Sequence, residues 1–125
     1  MSERVRETTR SQKPPPASRE PLSDAAIEAV ADWLRIIAEP TRIRLMEILN
    51  AGSSNVQGLA AQLRTSRPNT SRHLAVLHQA GVVRRRKVGR NTLYELADWS
   101  GCWLIEQVGA SVIAGQEAQK PTIGN

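Results

Sequence analysis

The chain has 125 residues, a formal net charge of +5, 40% apolar and 23% charged residues, the size of a single domain. With no Phe, three Trp and one Tyr, its core must be aliphatic, and a partner subunit would help to complete it. A lone cysteine excludes an internal disulfide or a multi-cysteine zinc site, and no run approaches the ~18 apolar residues of a membrane span. The polar, arginine-bearing segment 1–11 is no secretory leader, so a cytoplasmic, reducing setting is expected, with no membrane partner.

Charge is unevenly distributed. Residues 64–91 carry eight basic groups and no acid, whereas 22–63 and 92–125 are each slightly acidic. A basic segment on such a body is the footprint of a polyanion binder, because neutralised phosphates release counterions. A solvated basic surface gives the same count, so the structure carrying these residues decides.

In chain order, residues 1–21 combine Pro14, Pro15, Pro16 and Pro21 with alternating charges and few large apolar groups, which predicts a disordered arm. Its cations Arg4, Arg6, Arg10, Lys13 and Arg19 either touch DNA phosphates or form a passive tail. Ser23 is a candidate N-cap for a first amphipathic helix over about 23–38, with Ile27, Val30, Leu34 and Ile37 at helical spacing. Pro40 suits the first turn of a second helix, carrying Ile43, Met46, Ile48 and Leu49 before Ala51-Gly52. A short third helix runs from about Val56 to Arg64 and buries Val56, Leu59, Ala60 and Leu63.

After the tight connection Thr65-Ser66-Arg67-Pro68, a fourth helix spans about Pro68 to Ala80. Leu74 and Leu77 face inward, and Gly81 stops it. Val82–Val88 and Asn91–Leu96 flank Gly89-Arg90 as a hairpin with a basic tip. A last helix from about Asp98 bears Leu104, Ile105, Val108 and Val112 on one stripe and frays after about Gly115. The resulting organisation is an arm (1–21), a DNA-binding and dimerisation domain (22–115) and a flexible tail (116–125).

Two short helices joined by a turn, the second exposing small polar and basic side chains, form a helix-turn-helix whose second helix enters the major groove. Arg pairs with guanine, Asn with adenine, and Ser or Thr with phosphate or base. Arg67, Asn69, Thr70, Ser71, Arg72 and His73 supply that set, and Arg86, Lys87, Arg90 and Asn91 form a wing for the flanking backbone or minor groove. The fold class is therefore mainly α with a small β-hairpin: a winged helix-turn-helix, dimeric, with a disordered N-terminal arm.

The run Ala38-Glu39-Pro40-Thr41-Arg42-Ile43-Arg44-Leu45 is similar to the second-helix opening of the ArsR/SmtB winged-helix repressors. Leu59-Ala60 with Leu63, Thr70-Ser71-Arg72-His73-Leu74 with Leu77, Ala80-Gly81-Val82-Val83, and Gly89-Arg90 before Tyr94-Glu95-Leu96 follow in that family's order. The resemblance covers about residues 30–110. It implies a homodimer joined through the first and last helices, each recognition helix reading half of an inverted-repeat operator on double-stranded DNA. Ile27, Val30, Trp33, Leu34, Trp99, Trp103, Leu104 and Val108 are the interface candidates, with packing inside one chain as the other role open to the Trp residues.

Many members of the resembled family release DNA on binding metal. Here the family's two box cysteines fall at Asn55 and Gln57, poor ligands for a soft metal. The last helix offers Asp98 and Glu106 but no His between Asp98 and Asn125, so metal sensing at either site is not expected and no cofactor is assigned. His73 and His78, five apart on a helix, diverge by ~140° and do not chelate. Cys102 is either a redox switch across the dimer or a small buried hydrophobe. No nucleophile–base pair, metal cluster or phosphate loop points to an enzyme. A metal-independent repressor is the leading reading; a thiol-switched repressor, or a winged-helix module that binds acidic proteins without operator preference, are the alternatives. The effector, if one exists, stays open.

Overall fold

The computed structural model describes residues 20–98 and 100–119. The expected arm and Trp99 therefore lie almost wholly outside the described residues. Five helices and one hairpin follow in order among them: α1 (Asp24–Ile37), α2 (Pro40–Ala51), α3 (Val56–Leu63), α4 (Arg67–Gln79), β1 (Val83–Val88), β2 (Asn91–Leu96) and α5 (Ser100–Gln119).

Each helix starts where a side chain can accept from its orphan N–H groups. Ser23 accepts from Ala26 N, Glu39 from Arg42 N, Asn55 from Gly58 N and Ser66 from Asn69 N. Asp98 Oδ1 receives the Ser100 N–H at 2.9 Å and the Ser100 hydroxyl at 2.6 Å, so it stands outside α5 as its cap. At the other end α5 continues to Gln119, past the fraying expected after Gly115. Gln116, Glu117, Ala118 and Gln119 are good helix formers, and they outweigh the local cost of Gly115.

The core joins every layer. Leu45, Met46, Leu49, Leu59, Leu74 and Leu77 are fully buried, with Val82, Val83, Tyr94 and Leu96 closing the hairpin over them. In α2 the inward stripe is Leu45, Met46 and Leu49, whereas Ile43 and Ile48 are half-buried, a rotation from the expected set. In α1 the expected stripe splits. Trp33, Ile36 and Ile37 pack on the core, while Ile27, Val30 and Leu34 remain 52%, 44% and 41% exposed. Trp33 and Ile37 are one turn apart and claim the inward face, which leaves the other apolar residues a face of their own.

The strands are antiparallel, with Val83 opposite Leu96, Arg84 opposite Glu95, Arg85 opposite Tyr94, Arg86 opposite Leu93 and Lys87 opposite Thr92. Gly89 turns the hairpin at φ +62° and Gly81 ends the α4 segment at φ +78°, values that favour residues without a Cβ. Ser54 and Tyr94 exchange two backbone hydrogen bonds, 3.1 and 2.8 Å, which tie the loop before α3 to the hairpin. The hairpin is thereby held on the helical body and is not a free ribbon.

Candidate nucleic-acid interface

The turn between α3 and α4 sets the presentation of the candidate reading helix. Arg64 caps α3 in the left-handed conformation, φ 57° and ψ 45°, and Thr65 N donates back to Ala60 O at 3.1 Å, which satisfies carbonyls at the helix end. Ser66 then caps α4 with Pro68 in its first turn, where a missing N–H costs nothing. The first turns of α4 are thus fixed by local hydrogen bonds before any ligand arrives.

Arg67, Ser71 and Arg72 are exposed, and Asn69 is half-buried. The Asn69 amide is already oriented: Nδ2 donates to Thr65 Oγ1 at 3.1 Å and Oδ1 accepts from an Arg72 guanidinium N–H at 3.1 Å. Asn69 and Arg72 therefore form a preorganised pair one turn apart, a geometry suited to base edges.

Two expected DNA contacts are placed elsewhere. Thr70 is fully buried, and its hydroxyl donates to Ser66 O at 2.9 Å. Its position one turn before Leu74 puts it on the core stripe, so it builds the helix and is not offered to DNA. His73 is 18% exposed at its side chain, with Nδ1 3.3 Å from an Arg42 guanidinium nitrogen and 3.6 Å from Glu39 Oε2. Arg42 also donates to Ile36 O. His73 therefore joins the start of α2 to the middle of α4. Burial raises the pKa of Glu39, but hydrogen bonds from the Arg42 and Thr41 backbone N–H groups and the charges of His73 and Arg42 outweigh it, holding the carboxyl below its ordinary value. The Glu39–Arg42–His73 connection was invisible in the spacing of the sequence because it joins residues 31 apart.

On the hairpin, Arg84, Arg85, Arg86, Lys87, Arg90 and Asn91 are all exposed. Arg84 and Arg85 were absent from the expected wing set, although the unbroken run Arg84-Arg85-Arg86-Lys87 carried the signal. Arg86 Nε is 3.2 Å and Arg84 Nε 3.9 Å from Glu95 Oε1. Among the described residues no carboxylate pairs with Arg85, Lys87 or Arg90.

The interface candidates divide by face. Ile27, Val30, Leu34 and Val108 are exposed, as are Val112 and Ile113, each of the last three more than half. Trp33 and Leu104 instead pack against their own core, and Trp103 is half-buried. A Cβ on Gly101 would lie 2.5 Å from Met46 Cε and 3.7 Å from the Trp33 ring, so Trp33 seals the joint between α1, α2 and α5. Cys102 is buried, with its thiol 3.4 Å from the Met46 carbonyl it donates to. Asn55 spends its side-chain oxygen on Gly58 N at 2.8 Å, and no three His, Cys, Asp or Glu residues among those described converge as metal ligands.

The model of bacterial regulatory proteins of the arsR family matches residues 39–85, from the cap of α2 into β1. A biofilm growth-associated repressor of Agrobacterium fabrum is 33% identical over 97 residues, 78% of this chain and 83% of that protein. A transcriptional repressor SmtB homologue of Synechocystis is 37% identical over 71 residues, 57% of this chain, which spans only 54% of that relative's length. Among solved structures, the antimony-specific transcriptional repressor AntR superposes with a TM-score of 0.68 at 27% identity, covering 87% of this chain and 98% of that one. All three of these relatives are repressors.

Proposed function

Because the chain belongs to the arsR family of bacterial regulatory proteins and has a winged-helix DNA-binding fold, we propose that it is a homodimeric repressor binding an inverted-repeat operator without a metal. The observation that carries this reading is the combination of the preorganised Asn69–Arg72 edge of α4 with the exposed cations Lys87 and Arg90 of the hairpin. The first offers directional groups to bases, and the second offers charge to phosphates. Arg67, Ser71 and Asn91 complete the contact surface.

The dimer is supported by the two apolar strips left outside the core, Ile27, Val30 and Leu34 on α1 and Val108, Val112 and Ile113 on α5. Such exposed rows are costly in water and are covered when two copies meet about a two-fold axis. The working unit is residues 22–115, with α5 continuing to Gln119. Metal independence is supported by donor chemistry: Asn55 and Asp98 already serve as helix caps, and neither is a soft ligand. For Cys102, burial and the contact with Met46 O favour a packing role over a thiol switch.

The test is fluorescence-anisotropy titration with DNA from upstream of the protein's own gene beside a scrambled duplex of equal length, with the thiol reduced and then oxidised. Selective, salt-dependent binding unchanged by chelator or oxidation is expected. Equal binding to both duplexes at physiological salt would overturn operator recognition. Restoration of selectivity only by added metal would overturn metal independence, and loss on oxidation would assign the switch to Cys102.

A further inference from the structure

Glu95 is the only carboxylate between Glu47 and Asp98, and the hairpin sets it against the basic strand β1. It lies directly opposite Arg84 across the hairpin and diagonal to Arg86, which faces Leu93. A single oxygen, Oε1, meets both guanidinium groups, at 3.9 Å and 3.2 Å. Its side chain is 18% exposed, whereas those of Arg84 and Arg86 are 63% and 52% exposed. The carboxylate is therefore the sheltered member and the arginines are the solvent-exposed ones.

The pleat separates two sets of cations. Arg84 and Arg86 share one face of β1 with Glu95, and Arg85 and Lys87 lie on the other, with Arg90 at the tip. A phosphate oxygen can accept a guanidinium N–H in place of a carboxylate oxygen, as a charge-assisted hydrogen bond of the same kind. We propose that Glu95 is a specificity-determining residue that holds Arg84 and Arg86 away from the DNA backbone, so that only part of the wing's charge is spent on sequence-independent binding. This inference rests on the DNA-binding reading above.

The consequence follows from counterion release. Each phosphate newly neutralised adds about 0.9 to the slope of log affinity against log salt and strengthens binding to every sequence alike. A protein facing a large excess of wrong sites gains from limiting that component, because its occupancy depends on the ratio of specific to non-specific affinity. With both guanidinium groups more than half exposed, these contacts are open to solvent screening and contribute modestly to stability, and they compete with phosphate for the two arginines.

The experiment measures affinity for an unrelated duplex between about 50 and 200 mM salt for the wild-type protein, Glu95→Gln, the double variant Arg84→Gln/Arg86→Gln, and the triple variant. Glu28→Gln, on the exposed face of α1, matches the charge change elsewhere. We expect Glu95→Gln to steepen the salt slope by about 0.9 for each arginine released, to tighten binding to the unrelated duplex several-fold, and to lower the preference for operator. The double variant should keep the wild-type slope, and adding Glu95→Gln to it should change nothing. Glu28→Gln should match wild type. An unchanged slope in folded Glu95→Gln overturns the role of Glu95, as does steepening that persists without the two arginines. A fall in slope in the double variant alone overturns it independently of how Glu95→Gln folds. Wild-type protein that binds no duplex removes the DNA-binding reading itself.

Discussion

At the residue scale, the exposed polar side chains of α4 and the hairpin divide by the kind of group they can meet. Arg72, held to Asn69 by one guanidinium N–H, carries a planar group with several donors, whereas Lys87 is a compact charge on a flexible stem. Arg72→Ala should cost about 1–3 kcal/mol on operator and relax sequence preference, while Lys87→Ala should lower affinity for all duplexes and flatten the salt slope by about 1. Anisotropy on operator and scrambled DNA separates the two, and identical behaviour would contradict the division. Glu39 makes a pH prediction. Its folded pKa lies below the ordinary 4.5, so the stability it supplies is complete above that value and is lost as pH falls through the lowered folded value. Urea midpoints followed from about pH 6 to pH 3 should therefore fall less steeply in Glu39→Gln than in the wild-type protein. Parallel curves would place the acid sensitivity elsewhere.

At the element scale, α4 is held from three sides. Ser66 and Arg64 fix its start, Leu74 and Leu77 anchor its inner face, and His73 links it to the cap of α2. The last helix depends on close approach at one point. Gly101 leaves room for Met46 Cε and the Trp33 ring, so α5 can lie against α2 with no intervening side chain. Gly101→Ala asks only the flexible end of Met46 to move, but Gly101→Leu has no such space and should destabilise the fold by about 1–3 kcal/mol. Chemical denaturation measures this, and a Leu variant as stable as the Ala variant would mean that α5 docks more loosely than the contacts indicate.

At the scale of the whole molecule, the described chain is incomplete as an apolar body. Ile27, Val30 and Leu34 of α1 and Val108, Val112 and Ile113 of α5 are turned away from the core, on the two elements that begin and end the described fold. Placing a charge there should leave the monomer folded and break the dimer. Val108→Glu combined with Val112→Glu is expected to halve the mass seen in sedimentation while retaining the wild-type helical circular dichroism. Affinity for a two-half-site operator should then fall toward that for a half-site, since the second contact becomes a separate binding event. A dimer that persists in this variant would move the interface elsewhere.

The periodicity and punctuation of the chain were sufficient for the element order, because helix spacing, caps and the Gly89-Arg90 turn are local in sequence. The exposed cations of α4 and the hairpin were likewise legible in the acid-free basic segment, since they report composition at helical or hairpin positions. Direction was another matter. Thr70 reads as a contact residue until the packing of α4 on α2 and α3 buries it, and Trp33 reads as an interface residue until Gly101 lets α5 approach it. The Glu39–His73 and Arg86–Glu95 contacts join residues far apart or across a turn. Which groups stay exposed and which are spent inside the chain were decided by tertiary structure, because a side chain's neighbours across elements depend on the rotation and approach of each helix and the register of the hairpin.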